Sequence, residues 1–361
     1  MENQQNYTKK IFYVLLFMAV ILMFALLKVT ADFILTIFIS VMLSLVLYPF
    51  IKKLNSFHIP WTLGILITVI IALGIFFVFT NILTASLKTI INAYPNYESK
   101  FLHLWELFAK TLKIEVDENQ SIFSRLWGSL GIRTAIQNMA ISLSSFLVST
   151  VQVTALVVLL VVFLMIEMSS VKDKIRTAFP QENINRRIIF VVIKIISEVT
   201  RYVSIKFLVS LGTGICVLIS TTAIGMDFPV IWAFIAFVLN FIPTFGSMIS
   251  CGATIGFAVI QFYPDITPII ILSVIMVGIN FVFGNIVEPK WEGSDLGISP
   301  FVILVSLSLW SYIWGFIGMI LAVPMMVIIK IICENIDFLK PVAVLIGGST
   351  KKAARHEADR K

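Results

Sequence analysis

The chain has 361 residues, of which 59% are hydrophobic and 13% are charged, and its formal net charge is +7. Soluble domains carry about 25% charged residues, so this composition excludes a water-soluble fold and favours a protein that has the lipid bilayer as its solvent. The excess Lys and Arg lie next to apolar runs, where such residues set membrane orientation and contact anionic lipid. Membrane lipid is therefore a predicted partner, and nucleic acid is not.

Three apolar runs near the start of the chain have about the 20-residue length that crosses a bilayer. They cover 11–27, 33–50 and 62–83. No small-residue cleavage site follows the first run, so it is interpreted as a retained span and not as a signal peptide. Residues 1–84 are predicted to form transmembrane helices 1–3, which act as a scaffold.

The next two segments alternate between water and membrane. Hydrophobicity drops over 85–140, where apolar residues recur at helical spacing, and this pattern predicts a small helical extracytoplasmic domain. Residues 141–202 are predicted to hold transmembrane helix 4 and a basic amphipathic cytoplasmic segment. The positive-inside rule places this basic segment in the cytoplasm together with Lys9, Lys10, Lys52 and Lys53.

The apolar stretch that follows the fifth helix matches the length of neither one nor two membrane crossings. The run 229–262 is too short for two crossings, which need more than about 40 residues, and its centre holds Pro243 and Gly246. Proline removes a backbone donor and glycine permits a tight reversal. A re-entrant hairpin that enters from outside is therefore predicted over 229–262.

The second half of this region repeats the pattern. A sixth helix over 268–287 is followed by an apolar run over 299–333 with Gly315 near its middle. One crossing there would leave the basic tail 334–361 outside, against the positive-inside rule, so a second hairpin that enters from inside is predicted. The fold class is an all-α polytopic membrane protein with about six full transmembrane helices and two re-entrant hairpins. The two halves are predicted to form an inverted repeat, a design that recurs in transporters, so residues 203–333 are predicted to be a transport unit. Both termini are predicted to be cytoplasmic.

Polar residues cluster at the tip of the first predicted hairpin. Asn240, Thr244 and Ser247 place side-chain oxygens next to a backbone that is interrupted at Pro243 and tightly turned at Gly246. Non-helical backbone inside a membrane is tolerated where protein buries it or where it lines a wet cavity. These five residues are candidates for binding an ion or a solute. The alternative is a tight turn that satisfies its own polar groups.

A second polar group lies along the sixth helix. Asn280, Gly284, Asn285 and Glu288 stand at i, i+4, i+5 and i+8, close to one helical face. A carboxylate beside an apolar run is costly and commonly marks an ion or proton path. Glu288 is therefore a candidate ion-binding residue. The alternative is an interfacial residue that ends the helix before Pro289.

Enzyme chemistry is not predicted. The histidines, His58, His103 and His356, lie outside the apolar runs, and no metal-ligand cluster or phosphate-binding glycine loop is visible. No cofactor and no resident metal are therefore expected. The alternative of another class is a non-transporting membrane scaffold with the soluble segments as docking surfaces.

Four motifs follow in order along the second half of the chain: Asn-Phe-Ile-Pro-Thr-Phe-Gly at 240–246, Gly-Asn-Ile-Val-Glu-Pro-Lys at 284–290, Leu-Gly-Ile-Ser-Pro at 296–300, and the run from Trp310 to Pro324. Arg201-Tyr202 with Lys206 precedes them at the entry to the fifth helix. Together these residues resemble the AI-2E family of bacterial transporters. In the last motif Gly315, Gly318 and Pro324 are expected to serve turning and packing, as Gly284 and Pro289 are in the second. Thr244 departs from the family pattern, which commonly carries an aromatic residue after the proline.

The resemblance implies a multi-pass protein of the bacterial cytoplasmic membrane that works as a homo-oligomer, a pentamer among the options. Some members are described as exporters of the autoinducer-2 signal and others as sodium(lithium)/proton antiporters. For antiport, transient Na⁺ binding is expected at Glu288, Asn285 and Asn240, with Thr244. For export of a small polar solute, the same hairpin tips would hold it, with Trp310 and Trp314 near its apolar faces.

Overall fold

The computed structural model describes residues 2–111, 132–292 and 297–347, and it confirms the all-α polytopic class. The described residues form helices and no named strand, with one isolated bridge between Ile298 and Gly347. A π-helical turn, Val282–Val287, separates α8 from α9, and a 3₁₀ turn, Asp337–Leu339, separates α10 from α11. The helices are α1 (Glu2–Val29), α2 (Ala31–Ser56), α3 (Trp61–Thr111), α4 (Ile132–Ala178), α5 (Glu182–Ile224), α6 (Pro229–Leu239), α7 (Phe245–Phe262), α8 (Ile266–Phe281), α9 (Glu288–Glu292), α10 (Pro300–Asn335) and α11 (Lys340–Ile346).

Seven helical segments in the described ranges are long and apolar enough to cross a membrane. They include α7 and α10, which the sequence assigns to hairpins. The re-entrant character of the hairpins therefore stays a prediction, although the reversals of the chain are part of the structure.

Helices α3 and α5 continue past the predicted ends of their membrane spans. α3 has 51 residues and runs on through the amphipathic segment, and α5 has 43 residues and includes the basic segment. A drop in hydrophobicity marks where the lipid ends but does not end a helix, whose backbone groups are satisfied internally in either solvent. The part of the predicted extracytoplasmic domain at 112–131 lies outside the described residues.

The chain divides into two compact units. The predicted transport unit 203–333 has residues in both of them, and its boundaries stay a prediction. The first unit comprises Met1–Ser56, Leu156–Val203 and Ser294–Lys361, and the second comprises Phe57–Ala155 and Ser204–Gly293.

The second unit contains the first hairpin, which consists of α6 and α7. Pro229 occupies the first turn of α6, where its missing N–H is not needed. A Cβ added at Gly246, in the first turn of α7, would lie 1.6 Å from the carbonyl oxygen of Leu239 at the end of α6. Glycine at this position therefore permits the two arms to meet at the tip. The arms and α8 enclose a core formed by Val217, Met226, Ala236, Ala258, Leu272 and Met276.

The first unit contains the second hairpin, which is formed within α10. Gly315 interrupts the helix with φ 62° and ψ −141°. The Ser306 hydroxyl donates to the carbonyl oxygen of Ala322 at 3.2 Å although 16 residues separate them, whereas a straight helix would hold them about 24 Å apart. A Cβ at Gly318 would lie 2.0 Å from the carbonyl oxygen of Trp310. The chain therefore reverses at Gly315, and Gly318 lets the arms pack.

The tip of this second hairpin lies against the C-terminal end of α1. The Trp314 indole N–H donates to the carbonyl oxygen of Leu27 at 3.0 Å. The Lys28 ammonium lies 3.6 Å from the centre of the Tyr312 ring, a cation–π geometry. These two contacts hold the tip of the second hairpin against the end of α1.

Candidate functional site

One face of α5 contacts two of the predicted site residues. The Lys206 ammonium donates to Oε1 of Glu288 at 2.5 Å, and the Asn240 side-chain amide donates to the Ser210 hydroxyl at 3.1 Å. Lys206 and Ser210 are four residues apart and so lie one helical turn apart on the same face. Helix α5 thus brings Glu288, at the start of α9, and Asn240, at the end of α6, to one side of a single helix.

The Lys206–Glu288 ion pair is largely removed from solvent. The Lys206 residue is 3% exposed, and the Glu288 side chain is 20% exposed, compared with 34% for Glu334, which pairs with Lys194. A buried charge without a partner is strongly destabilising. Each group therefore stabilises the charge of the other, and removal of either one leaves the remaining charge buried without a partner.

The segment before Glu288 departs from a regular α-helix. Residues Val282–Val287 form a π-helical turn, a feature that is frequent at functional sites. A Cβ at Gly212 of α5 would lie 2.6 Å from the Phe283 ring, so glycine makes room for this turn against α5. The sequence predicts that Gly284, Asn285 and Glu288 lie close to one helical face. With the π-helical turn in place, Gly284 and Asn285 are exposed while Glu288 contacts Lys206.

The tip of the first hairpin is strained. The Phe245 amide donates to the carbonyl oxygen of Pro243 at 2.7 Å, and Thr244 between them has φ 65° and ψ −56°. These angles describe the rare form of the γ-turn. A residue other than glycine in such a region costs about 1–3 kcal/mol, and such residues cluster at functional sites. Thr244 is exposed.

Two further polar residues near this tip have contacts within the hairpin and α8. The Ser247 hydroxyl donates to the carbonyl oxygen of Thr244 at 3.2 Å, as a tight turn that satisfies its own groups would require. The Asn280 side-chain amide lies 3.4 Å from the Ser247 carbonyl oxygen. Asn280 therefore connects α8 to the first turn of α7.

The second hairpin holds Trp310 in the other compact unit. Trp310 is 3% exposed. Its ring packs on the Trp314 ring with centroids 4.8 Å apart, and the Phe24 ring of α1 contacts it edge-on. Within the described residues, the indole N–H of Trp310 has no hydrogen-bond partner. Pro324 is buried in α10, whereas Pro289 is exposed in α9.

These two tryptophans differ in a way that a matched pair of variants can test. Trp314→Phe removes a hydrogen bond to the end of α1, which contributes about 1 kcal/mol. Trp310→Phe removes an indole N–H that has no partner among the described residues. We expect Trp314→Phe to lower the melting temperature of the purified protein more than Trp310→Phe does. An equal or smaller effect of Trp314→Phe would contradict the anchoring of the tip on α1.

The base of the first hairpin carries a polar cluster that the sequence did not reveal. The Tyr97 hydroxyl of α3 donates to the Asp227 carboxylate, and the Lys100 ammonium donates to the carbonyl oxygen of Gln261 at 3.1 Å. The Gln261 side chain accepts from the Asp227 amide at 2.8 Å. Burial, followed by the hydrogen bond to Asp227, raises the pKa of Tyr97 above its usual value. The extension of α3 is thus joined to the base of α6 and α7.

Comparison with known proteins gives the family. The sequence model of the AI-2E family transporter matches residues 12–337. The chain belongs to the AI-2E transporter family. Its activity is therefore transport and not enzyme catalysis, and membership argues against the non-transporting scaffold.

Two similar proteins align with most of this chain, and a third aligns with about half of it. A Borreliella burgdorferi protein, whose name proposes transport without a substrate, is 31% identical over 313 residues, 86% of this chain and 83% of that protein. The AI-2 transport protein TqsA of Escherichia coli is 26% identical over 328 residues, 90% of this chain and 91% of TqsA. The sodium-lithium/proton antiporter of Halobacillus andaensis is 27% identical over 180 residues, 49% of each chain.

Lys206 belongs to the residues that carry the family resemblance, but sequence reasoning did not assign it to the site. Its position inside the apolar run of the fifth helix was the available signal, because an ammonium in such a run requires a partner. The partner could not be read from the sequence, since 82 residues separate Lys206 from Glu288.

Proposed function

We propose that this AI-2E protein is a secondary active transporter of the bacterial cytoplasmic membrane that exchanges Na⁺ or Li⁺ for protons at the Lys206–Glu288 pair. The observation that carries the proposal is the buried contact between these two charges beside a π-helical turn. Both groups lie in candidate membrane spans, where ionisable residues commonly mark ion or proton paths.

The chemistry of exchange follows from competition for one carboxylate. Na⁺ prefers oxygen ligands, and the Glu288 carboxylate supplies them when the Lys206 ammonium leaves. An ammonium without a partner is unfavourable in a buried site, so Lys206 releases its proton as the cation binds. One Na⁺ enters and one H⁺ leaves, and the charge of the site is unchanged. Asn240 and Thr244, at the break of the first hairpin, are the proposed additional ligands. Asn285 is exposed in this structure, and its role as a further ligand stays a sequence prediction.

The bases of the two hairpins support the proposed inverted repeat. The base of the first hairpin is joined to the extension of α3 through Tyr97 and Asp227, on the predicted extracytoplasmic side. The base of the second hairpin is joined to the basic segment of α5 through Lys194 and Glu334 at 2.9 Å, on the predicted cytoplasmic side. Entry from opposite sides fits alternating access by inverted repeats, with both termini in the cytoplasm.

The exchange can be measured in everted membrane vesicles. Respiration acidifies the vesicle interior, and we expect added Na⁺ or Li⁺ to dissipate this pH gradient with the wild-type protein. Glu288→Gln removes the carboxylate and should abolish the response. Glu167→Gln is the matched control, because Glu167 also pairs with a lysine, Lys174, but is half exposed. At equal protein levels in the membrane, a wild-type response in Glu288→Gln would refute the role of Glu288.

A second candidate function is export of a small polar solute such as the autoinducer-2 signal. The observation in its favour is the similarity to TqsA over 90% of this chain. Efflux of such a solute from loaded proteoliposomes, without any Na⁺-dependent proton movement, would favour this candidate. Assembly into a homo-oligomer rests on the family resemblance alone, which includes a pentamer among the possible oligomers.

A further inference from the structure

A groove in the first compact unit lies between the N-terminal part of α5 and the C-terminal end of α10. Its volume is about 400 Å³, and its walls are mostly apolar. The apolar side chains that line it are Ile188, Val191, Val192, Ile332 and Ile336.

Arg187 provides the polar end of this groove. Its guanidinium donates to the carbonyl oxygen of Asn335 and lies 3.5 Å from the Asp337 carboxylate, while the side chain stays 54% exposed. A guanidinium has five N–H donors in a planar fork, so donors remain for a phosphate group, which matches that fork.

The charge around Arg187 is positive on balance. Lys340 lies 2.6 Å from the Asp337 carboxylate and, as the largest cause, lowers the pKa of Asp337 below its usual range. The negative charge of Asp337 is therefore neutralised mainly by Lys340, and the positive charge of Arg187 is not balanced by a second carboxylate. In the last turn of α10, the single carboxylate of Glu334 pairs with two ammonium groups, those of Lys194 and Lys330.

The groove is located where a membrane span ends. Candidate span α10 ends at Asn335, which lines the groove. The residues that follow expose large apolar side chains, among them Phe338, Val344 and Leu345. Apolar side chains beside basic ones are typical of the boundary between acyl chains and headgroups.

We propose that this groove is a binding site for one anionic phospholipid. An acyl chain lies along the apolar walls, and the phosphate binds the free donors of Arg187. The net positive charge favours an anionic headgroup over a zwitterionic one. This site does not depend on the proposed exchange at Glu288.

Lipid titration of the purified full-length protein in detergent tests the proposal. Phosphatidylglycerol should raise the melting temperature, because a ligand that binds the folded state stabilises it, and phosphatidylcholine should raise it much less. Arg187→Gln should weaken phosphatidylglycerol binding tenfold or more. Arg186→Gln is the matched control, since the neighbouring Arg186 pairs with Glu182 and does not line the groove.

A second variant tests the apolar walls without touching the charge. Val191→Trp should fill the groove and weaken binding, while circular dichroism reports whether the protein remains folded. Unchanged binding in Arg187→Gln, or an equal loss in Arg186→Gln, would overturn the proposal. Full competition by soluble glycerol phosphate would overturn it as well, because the site would then bind a free phosphate and not a lipid.

Discussion

Gly246→Ala is expected to destabilise the protein by about 3 kcal/mol or more, at the upper end of the range for overpacking. The new Cβ would lie 1.6 Å from the carbonyl oxygen of Leu239, and this backbone atom cannot move away as a flexible side chain could. The two arms of the first hairpin would have to separate at the tip that holds Asn240 and Thr244. Denaturant unfolding in detergent measures the loss of stability.

Gly318→Ala should behave like Gly246→Ala, because its Cβ would lie 2.0 Å from the carbonyl oxygen of Trp310. Gly252→Ala is the control within the same helix as Gly246. Among the described residues, no atom outside the local backbone of α7 lies within 4 Å of a Cβ at Gly252, so alanine should be neutral or stabilise α7 by up to about 1 kcal/mol. Equal stabilities of the Gly246 and Gly252 variants would contradict the close contact at the tip.

Glu288→Gln is expected to lower the free energy of unfolding by about 3–5 kcal/mol, the cost of breaking a buried ion pair on one side. The reason is Lys206, which is 3% exposed: without its partner it must either hold an unpaired ammonium in a buried site or give up its proton, and both cost free energy. Lys206→Met should also be destabilising but less so, because the Glu288 side chain retains 20% exposure. Unfolding of the two single variants in detergent provides the measurement.

The double variant completes this cycle. Replacing both charges by Met should restore most of the stability, since apolar replacement of a whole buried pair is often neutral. Additive losses in the single and double variants would contradict a direct interaction between Lys206 and Glu288. The double variant also separates folding from function, because it is expected to fold and yet to exchange no cations.

The reversals of the chain were the part of the fold that the sequence predicted well. The lengths of the apolar runs and the distribution of Lys and Arg located breaks at Pro243 and Gly315, and the structure reverses at both. The lengths of α3 and α5 were not predictable from hydrophobicity, because the same helical backbone continues from lipid into water. The contact between Trp314 and Leu27, which holds the second tip against α1, was not predictable either, because 287 residues separate the two in the sequence.

The candidate site was predicted in part. Asn240 and Glu288 stood out as polar groups at a break and at a helix end, and both contact α5. The π-helical turn after α8 could not be predicted from the sequence, because it adds no distinctive residue type to the pattern of this span. It leaves Asn285 exposed, where a regular helix would have placed it near the face of Glu288.

Proton flux in proteoliposomes tests most directly whether the Lys206–Glu288 pair exchanges cations for protons. The purified protein is reconstituted with a pH-sensitive dye inside, and Na⁺, Li⁺ or choline is added outside. External Na⁺ or Li⁺ should raise the internal pH with the wild-type protein and with Glu167→Gln, whereas choline should not. The double Met variant at Lys206 and Glu288 should give no response. An equal pH rise in that variant, or no Na⁺-dependent change with the wild type, would contradict exchange at this pair.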